Sequence, residues 1–256
     1  MTTALSYPLP RERNLIIASL LVLAAGAWAL LVWRSASSDE DMMGLTMGVG
    51  APLFIAIWVA MMVAMMFPTA APMIFTFARV HAGKRQRGQP FVPTWVFVSS
   101  YLAVWTLFGF LAYGAAVGAE RLAEQSMWVM DNAARFGGGV LVLAGLYQLS
   151  PLKYACLSRC RTPLSFILGS WRDGYAGSFR MGLEHGAYCL GCCWLLFVIL
   201  FPLGMMNVAA MAGITLLIFA EKSLRGGRQM AQLAALALIA YGALVVFVPN
   251  ALPTMM

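Results

Sequence analysis

Residues Gly182 to Met206 read GLEHGAYCLGCCWLLFVILFPLGMM. The run from His185 to Leu203 is apolar and, at about 1.5 Å per residue, close to the length needed to cross a bilayer core of about 30 Å. It carries His185, Cys189, Cys192 and Cys193 at its head, so three of the chain's five cysteines and one of its two histidines fall within nine positions. At about 100° per residue these four side chains share an arc of roughly 100°, one helix face lined with soft ligands. Neutral imidazole and thiolate suit Cu(I) and Zn(II), and adding a thioether favours Cu(I). A regular helix separates His185 from Cys193 by about 12 Å in rise, so the four cannot close on one ion unaided. Either Gly186 and Gly191 loosen the helix or further ligands arrive from elsewhere. The alternative reading is packing, with cysteines as small hydrophobes and glycines permitting close helix approach.

The composition places this helix in a membrane. Of 256 residues, 61% are hydrophobic and 11% charged, with a mean hydropathy of +0.79; soluble domains average about 25% charged. The expected fold is all-α, a single integral membrane domain over residues 1–256, built as a polytopic bundle of about seven spans. These are Asn14–Trp33, Pro52–Ala78, Thr94–Ala119, a fourth from Phe136 to Gln148, His185–Leu203, Asn207–Phe219 and Met230–Val248. A signal peptide is the rival for the first, since Ser35-Ala36-Ser37 resembles a cleavage site; the length of the run and its Trp28 and Trp33 favour a retained helix. Leu152–Arg180 is the longest non-spanning stretch, and its apolar middle, Pro163–Trp171, suits a helix lying along the interface.

The net charge of +7 is distributed as a multi-pass membrane protein requires. The N-terminus and the segments after spans two, four and six are basic; those after one and three are acidic or neutral. This sets the N-terminus inside and places every cysteine near the cytoplasmic side. A reducing compartment there argues for free thiols over disulfides. The charge needs no nucleic acid to explain it. No serine–histidine–acid set, carboxylate dyad, dinucleotide fingerprint or Walker motif is present, which argues against an enzyme of those classes and against ATP-driven transport.

Other soft donors lie elsewhere in the chain. In the second span Met61, Met62, Met65 and Met66 form two i, i+4 pairs, and Met73 follows two turns later, near the depth of Cys189. Pro68 and Pro72 interrupt the same span and free backbone carbonyls. Met62, Met65, Met66 and Met73 are candidate thioether co-ligands, with core packing as the alternative. Cys156 and Cys160 form an i, i+4 thiol pair after the fourth span, a candidate docking or exit site. Asp39, Glu40, Asp41, Met42, Met43 and Met47 form an acidic, methionine-bearing loop that could collect metal, with an ordinary acidic loop as the alternative. Glu184 could orient His185, while Glu221 reads as a helix-end residue pairing with Lys222.

The stretches MMVAMMFPTAAP, YQLSPLKYACLSRCRTP and GLEHGAYCLGCCWLLF, with PLGMMN and AEK beyond, resemble a bacterial family long known as a domain of unknown function. Its members are described as metal-binding integral membrane proteins, and some as copper chaperones that supply a copper oxidase such as tyrosinase. The resemblance covers well over half the chain and implies copper handling. Relatives carry methionine where this chain has Phe197, so one donor of the family pattern is missing.

These readings converge on a soft-metal protein of the bacterial inner membrane, a copper chaperone or Cu(I) carrier with zinc as the competing metal. Its metal ligands are drawn from Cys189, Cys192, Cys193, His185, Met62, Met65, Met66, Met73, Cys156 and Cys160. The expected partners are the lipid bilayer and a copper-accepting oxidase or soluble metallochaperone. Two other classes stay open: a thiol redox protein using the vicinal cysteines, and a structural subunit of a membrane complex.

Overall fold

The computed structural model of the chain describes residues 10–36 and 44–252, and among these it is helical with no strand. The helices run α1 Pro10–Ala36, α2 Ala51–Gln86, α3 Thr94–Gln125, α4 Met127–Asp131, α5 Ala133–Gln148 and α6 Pro151–Arg161. They continue as α7 Pro163–Ser170, α8 Gly174–Val198, α9 Leu200–Leu203, α10 Val208–Ser223 and α11 Gly227–Phe247. Local chemistry sets the joints. The Ser150 hydroxyl accepts from the Lys153 N–H at 3.1 Å with Pro151 at the first helical position, and Asn207 caps α10 by accepting from the Ala210 N–H at 3.0 Å.

Five helices are long and apolar enough to cross a membrane: α1 from Asn14, α2, α3, α8 with α9, and α11. The expected fourth span is α5, which bends by 63° into α6; the pair passes as a span only when taken together. The expected sixth is α10, whose 16 residues reach about 24 Å, short of a full core. Two expected loops are helical instead. α2 continues through the basic stretch to Gln86, and α8 starts at Gly174, well before His185.

α2 is the enclosed centre, with 61% of its most apolar window buried against 11% for α1. Its prolines do not break it. Pro68 has no N–H to offer the Ala64 carbonyl, and the Trp28 indole N–H of α1 donates to that carbonyl at 3.1 Å. α3 lies against α8, and α5 against α11. Gly138 and Gly242 make the second approach possible, since a Cβ at either would sit 2.7–2.8 Å from the other's carbonyl oxygen.

α7 covers the stretch expected to form a short interfacial helix. It turns Phe166 and Ile167 fully inward and packs against α2, leaving Leu164 and Leu168 outside. Asp39, Glu40, Asp41, Met42 and Met43 lie outside the described residues. Met47, of the same loop, is buried at 3% exposure, and Thr46 beside it donates through N–H and hydroxyl to Glu120 of α3 at 2.8–3.0 Å.

Candidate metal centre

The centre forms where α3, α6 and α10 close around the middle of α8. α8 is unbroken, so of the two alternatives its glycines do not loosen it; they admit neighbours. A Cβ on Gly182 would collide with the Ser100 hydroxyl and the Phe97 carbonyl, and one on Gly186 would lie 2.8 Å from Val104. This close approach of α3 brings the Tyr101 hydroxyl to 3.2 Å from Cys189 Sγ. On the other side Gly191 leaves room for α6, since a Cβ there would sit 2.7 Å from Cys156 Sγ. The Tyr147 hydroxyl of α5 donates to the Gly191 carbonyl at 2.5 Å, closing that wall.

All five cysteines are free, and four of them are buried. The Cys192 and Cys193 thiols both turn back along the helix and donate to the Cys189 carbonyl, at 3.1 and 2.9 Å. Cys160 of α6 is buried in the same core as Cys189, Cys192 and Cys193, and α6 packs against α8, so the thiols of the two helices lie in one buried neighbourhood. Cys156 is half-buried at the edge of the group, facing Cys192. Among the described residues no three His, Cys, Asp or Glu side chains already form a closed metal-binding set. The geometry gives the reason: two sulfurs rest on a carbonyl and a third is held by Tyr101 and α10.

The α10 contribution is Lys222, which the sequence reading passed over. Its ammonium lies 3.0 Å from Cys189 Sγ and 3.4 Å from the Thr69 hydroxyl, and the residue is only 9% exposed. Glu221 is not its partner, contrary to expectation. Consecutive helical residues point about 100° apart, and Glu221 faces Lys153 of α6 at 2.7 Å, both side chains fully enclosed. Gln148 donates to the other Glu221 oxygen at 3.1 Å, and Arg161 ties down the Glu221 and Leu224 carbonyls at 3.0 and 2.7 Å. Lys153 and Glu221 therefore neutralise each other, and Lys222 turns its charge to the thiols.

The remaining candidates fall into distinct places. His185 sits between the rings of Phe97, Tyr101 and Phe166, one turn before Cys189, with both nitrogens buried and no hydrogen-bond partner. Glu184 does not orient it; that carboxylate accepts from Arg180 at 3.1 Å. A neutral imidazole always carries one lone pair, so an enclosed ring without partners is chemically suited to accept an ion. The α2 methionines and the α8 cysteines belong to one buried core, and Lys222 of α10 reaches both sides of it. Thr69 links Lys222 to Met66, whose Sδ lies 3.7 Å from the Thr69 hydroxyl. Met62, Met65 and Met73 are buried in the same core, and nothing in the geometry distinguishes them from packing.

A family model described as the copper chaperone PpoB2 matches residues 55–245. The chain belongs to this copper chaperone family. The matched region runs from α2 into α11 and takes in all five cysteines, His185, the α2 methionines and Lys222. Searches among curated proteins and among solved structures each found no match. For a copper chaperone the donor set is apt: thiolates and thioethers bind Cu(I) well, and several in one enclosed group allow the ion to pass between ligands.

Proposed function

We propose that this copper chaperone acts within the bacterial cytoplasmic membrane, holding one Cu(I) as cargo among the thiols of α6 and α8 and releasing it to a copper enzyme. The observation that carries the reading is the convergence of Cys160, Cys189, Cys192 and Cys193, from two separate helices, into one buried group. Cys189 with Cys192 or Cys193 supplies the first two thiolates, since i, i+3 and i, i+4 side chains meet on one helix. Cys160, His185 and Met66 are the further donors, and Met62, Met65 and Met73 extend the soft lining of the core. Cys156 is the accessible thiol through which a partner's ligand exchanges with the buried ones. The orientation is N-terminus inside over seven spans, with the short α10 and the bent α5–α6 pair completing the count and the thiols towards the cytoplasm.

Metal analysis of the purified protein tests this. The wild type should hold about one Cu(I) per chain under reducing conditions, and Cys192→Ser with Cys193→Ser should lose it. Equal copper in the double variant refutes the proposed ligand set. Preferential retention of zinc by the wild type refutes the proposed metal.

A further inference from the structure

We propose that Lys222 is the resident counter-ion of the metal–thiolate unit and biases the site towards a monovalent ion. The inference rests on the thiol-site reading above and adds a residue that is not a ligand. Three observations carry it. The Lys222 ammonium is buried, and it lies 3.0 Å from Cys189 Sγ. The carboxylate next to it in sequence, Glu221, is committed to Lys153 at 2.7 Å on the other side of α10. No carboxylate is among the other groups that face the ammonium in the described residues: they are the Thr69 hydroxyl at 3.4 Å, Tyr101 across the sulfur, His185 and the thiols of Cys160, Cys192 and Cys193.

Charge counting then decides between metals. Each thiol that becomes a ligand gives up its proton, so one Cu(I) with two thiolates carries a net charge of −1. Beside one lysine ammonium that unit is neutral, which a low-dielectric interior requires. One Zn(II) with the same two thiolates is already neutral, and the ammonium leaves the assembly with an excess positive charge. Zinc recovers neutrality only by recruiting a third deprotonated thiol. Lys222 therefore acts through Cys189 as a positioning and charge-matching residue, and Thr69 fixes where its charge sits.

The test compares Cu(I) and Zn(II) affinities by chelator competition in detergent for the wild type, Lys222→Gln and Lys222→Arg. Near-ultraviolet thiolate-to-copper absorption reports the ligand set. Removing the charge should weaken Cu(I) by about tenfold to a hundredfold, change Zn(II) by less than about threefold, and leave one Cu(I) per chain with the same absorption. Arginine, which keeps the charge, should restore most of the Cu(I) affinity. Equal weakening of both metals in Lys222→Gln, or no change in either, overturns the counter-ion role while leaving the thiol site standing. A wild type whose Cu(I) affinity is indifferent to Cys192→Ser with Cys193→Ser overturns the site, and the inference falls with it. If Lys222→Gln fails to fold, Lys222→Arg decides: unchanged Cu(I) preference supports the role, and a collapsed preference in a folded protein overturns it.

Discussion

Replacing Glu221 by glutamine isolates the buried ion pair that leaves Lys222 to the thiols. The substitution preserves shape and keeps an amide oxygen for the Gln148 donor at 3.1 Å, but it faces the Lys153 ammonium with a neutral group. Both partners are enclosed, at 0% and 2% side-chain exposure, so water cannot take over. Breaking a buried pair from one side costs about 3–5 kcal/mol, and an amide-to-ammonium hydrogen bond recovers about 1 kcal/mol of it. Glu221→Gln should therefore lose about 2–4 kcal/mol. Lys153→Met combined with Glu221→Gln removes both charges and should return to within about 1–2 kcal/mol of the wild type, a coupling that independent sites do not show. Helical circular dichroism during SDS titration of the micelle-solubilised protein measures all four chains. A loss below 1 kcal/mol for Glu221→Gln, or a double variant as unstable as the sum of the singles, would show that the pair does not hold α6 to α10.

Trp28→Phe removes the donor that answers the carbonyl freed by Pro68 and should cost about 1–2 kcal/mol; Trp33→Phe, at a site 64% exposed, should change stability by less than 0.5 kcal/mol. If the two variants unfold alike, the Trp28 bond contributes nothing. His185→Phe fits the aromatic slot and removes two unpartnered nitrogens, so stability should hold within about 1 kcal/mol while Cu(I) affinity falls. Unchanged affinity in that variant excludes the imidazole as a ligand. Brief iodoacetamide treatment of the folded metal-free protein, read by peptide mass spectrometry, should label Cys156 well before the four buried cysteines. Early labelling of Cys189 would contradict the enclosure of the group.

Hydropathy and charge made the long helices legible, because a bilayer demands long apolar runs whatever their neighbours do. Their lateral order was not legible. That Cys160 joins the α8 thiols depends on the 63° bend between α5 and α6, which swings α6 onto α8, and no local pattern encodes its angle. Phe166 and Ile167 had the composition of an interfacial helix, and only the gap beside α2 draws them inward. In the sequence Lys222 reads only as a partner for Glu221. One signal was available: Glu221 and Lys222, being consecutive on a helix, point apart and need separate partners. Tyr101 carried no signal, since a tyrosine in an apolar span is ordinary until a glycine opposite lets a sulfur approach. Of the α2 methionines, Met66 connects to Cys189 through Thr69 and Lys222, a route that no sequence spacing encodes.

The shared acceptor of Cys192 and Cys193 bears on how fast cargo leaves. Both thiols donate to one carbonyl, that of Cys189, and in the proposed site each would swing away from it to grip an ion. When the ion departs and the sulfurs regain their protons, both bonds can re-form. Each is weak, about 0.5–1 kcal/mol, so together they do not abolish binding; they tilt the balance towards release and give each sulfur a defined place to fall back to. In the proposed site the carbonyl would work as a return stop, letting an incoming ligand strip the ion one sulfur at a time and resetting the helix for the next load.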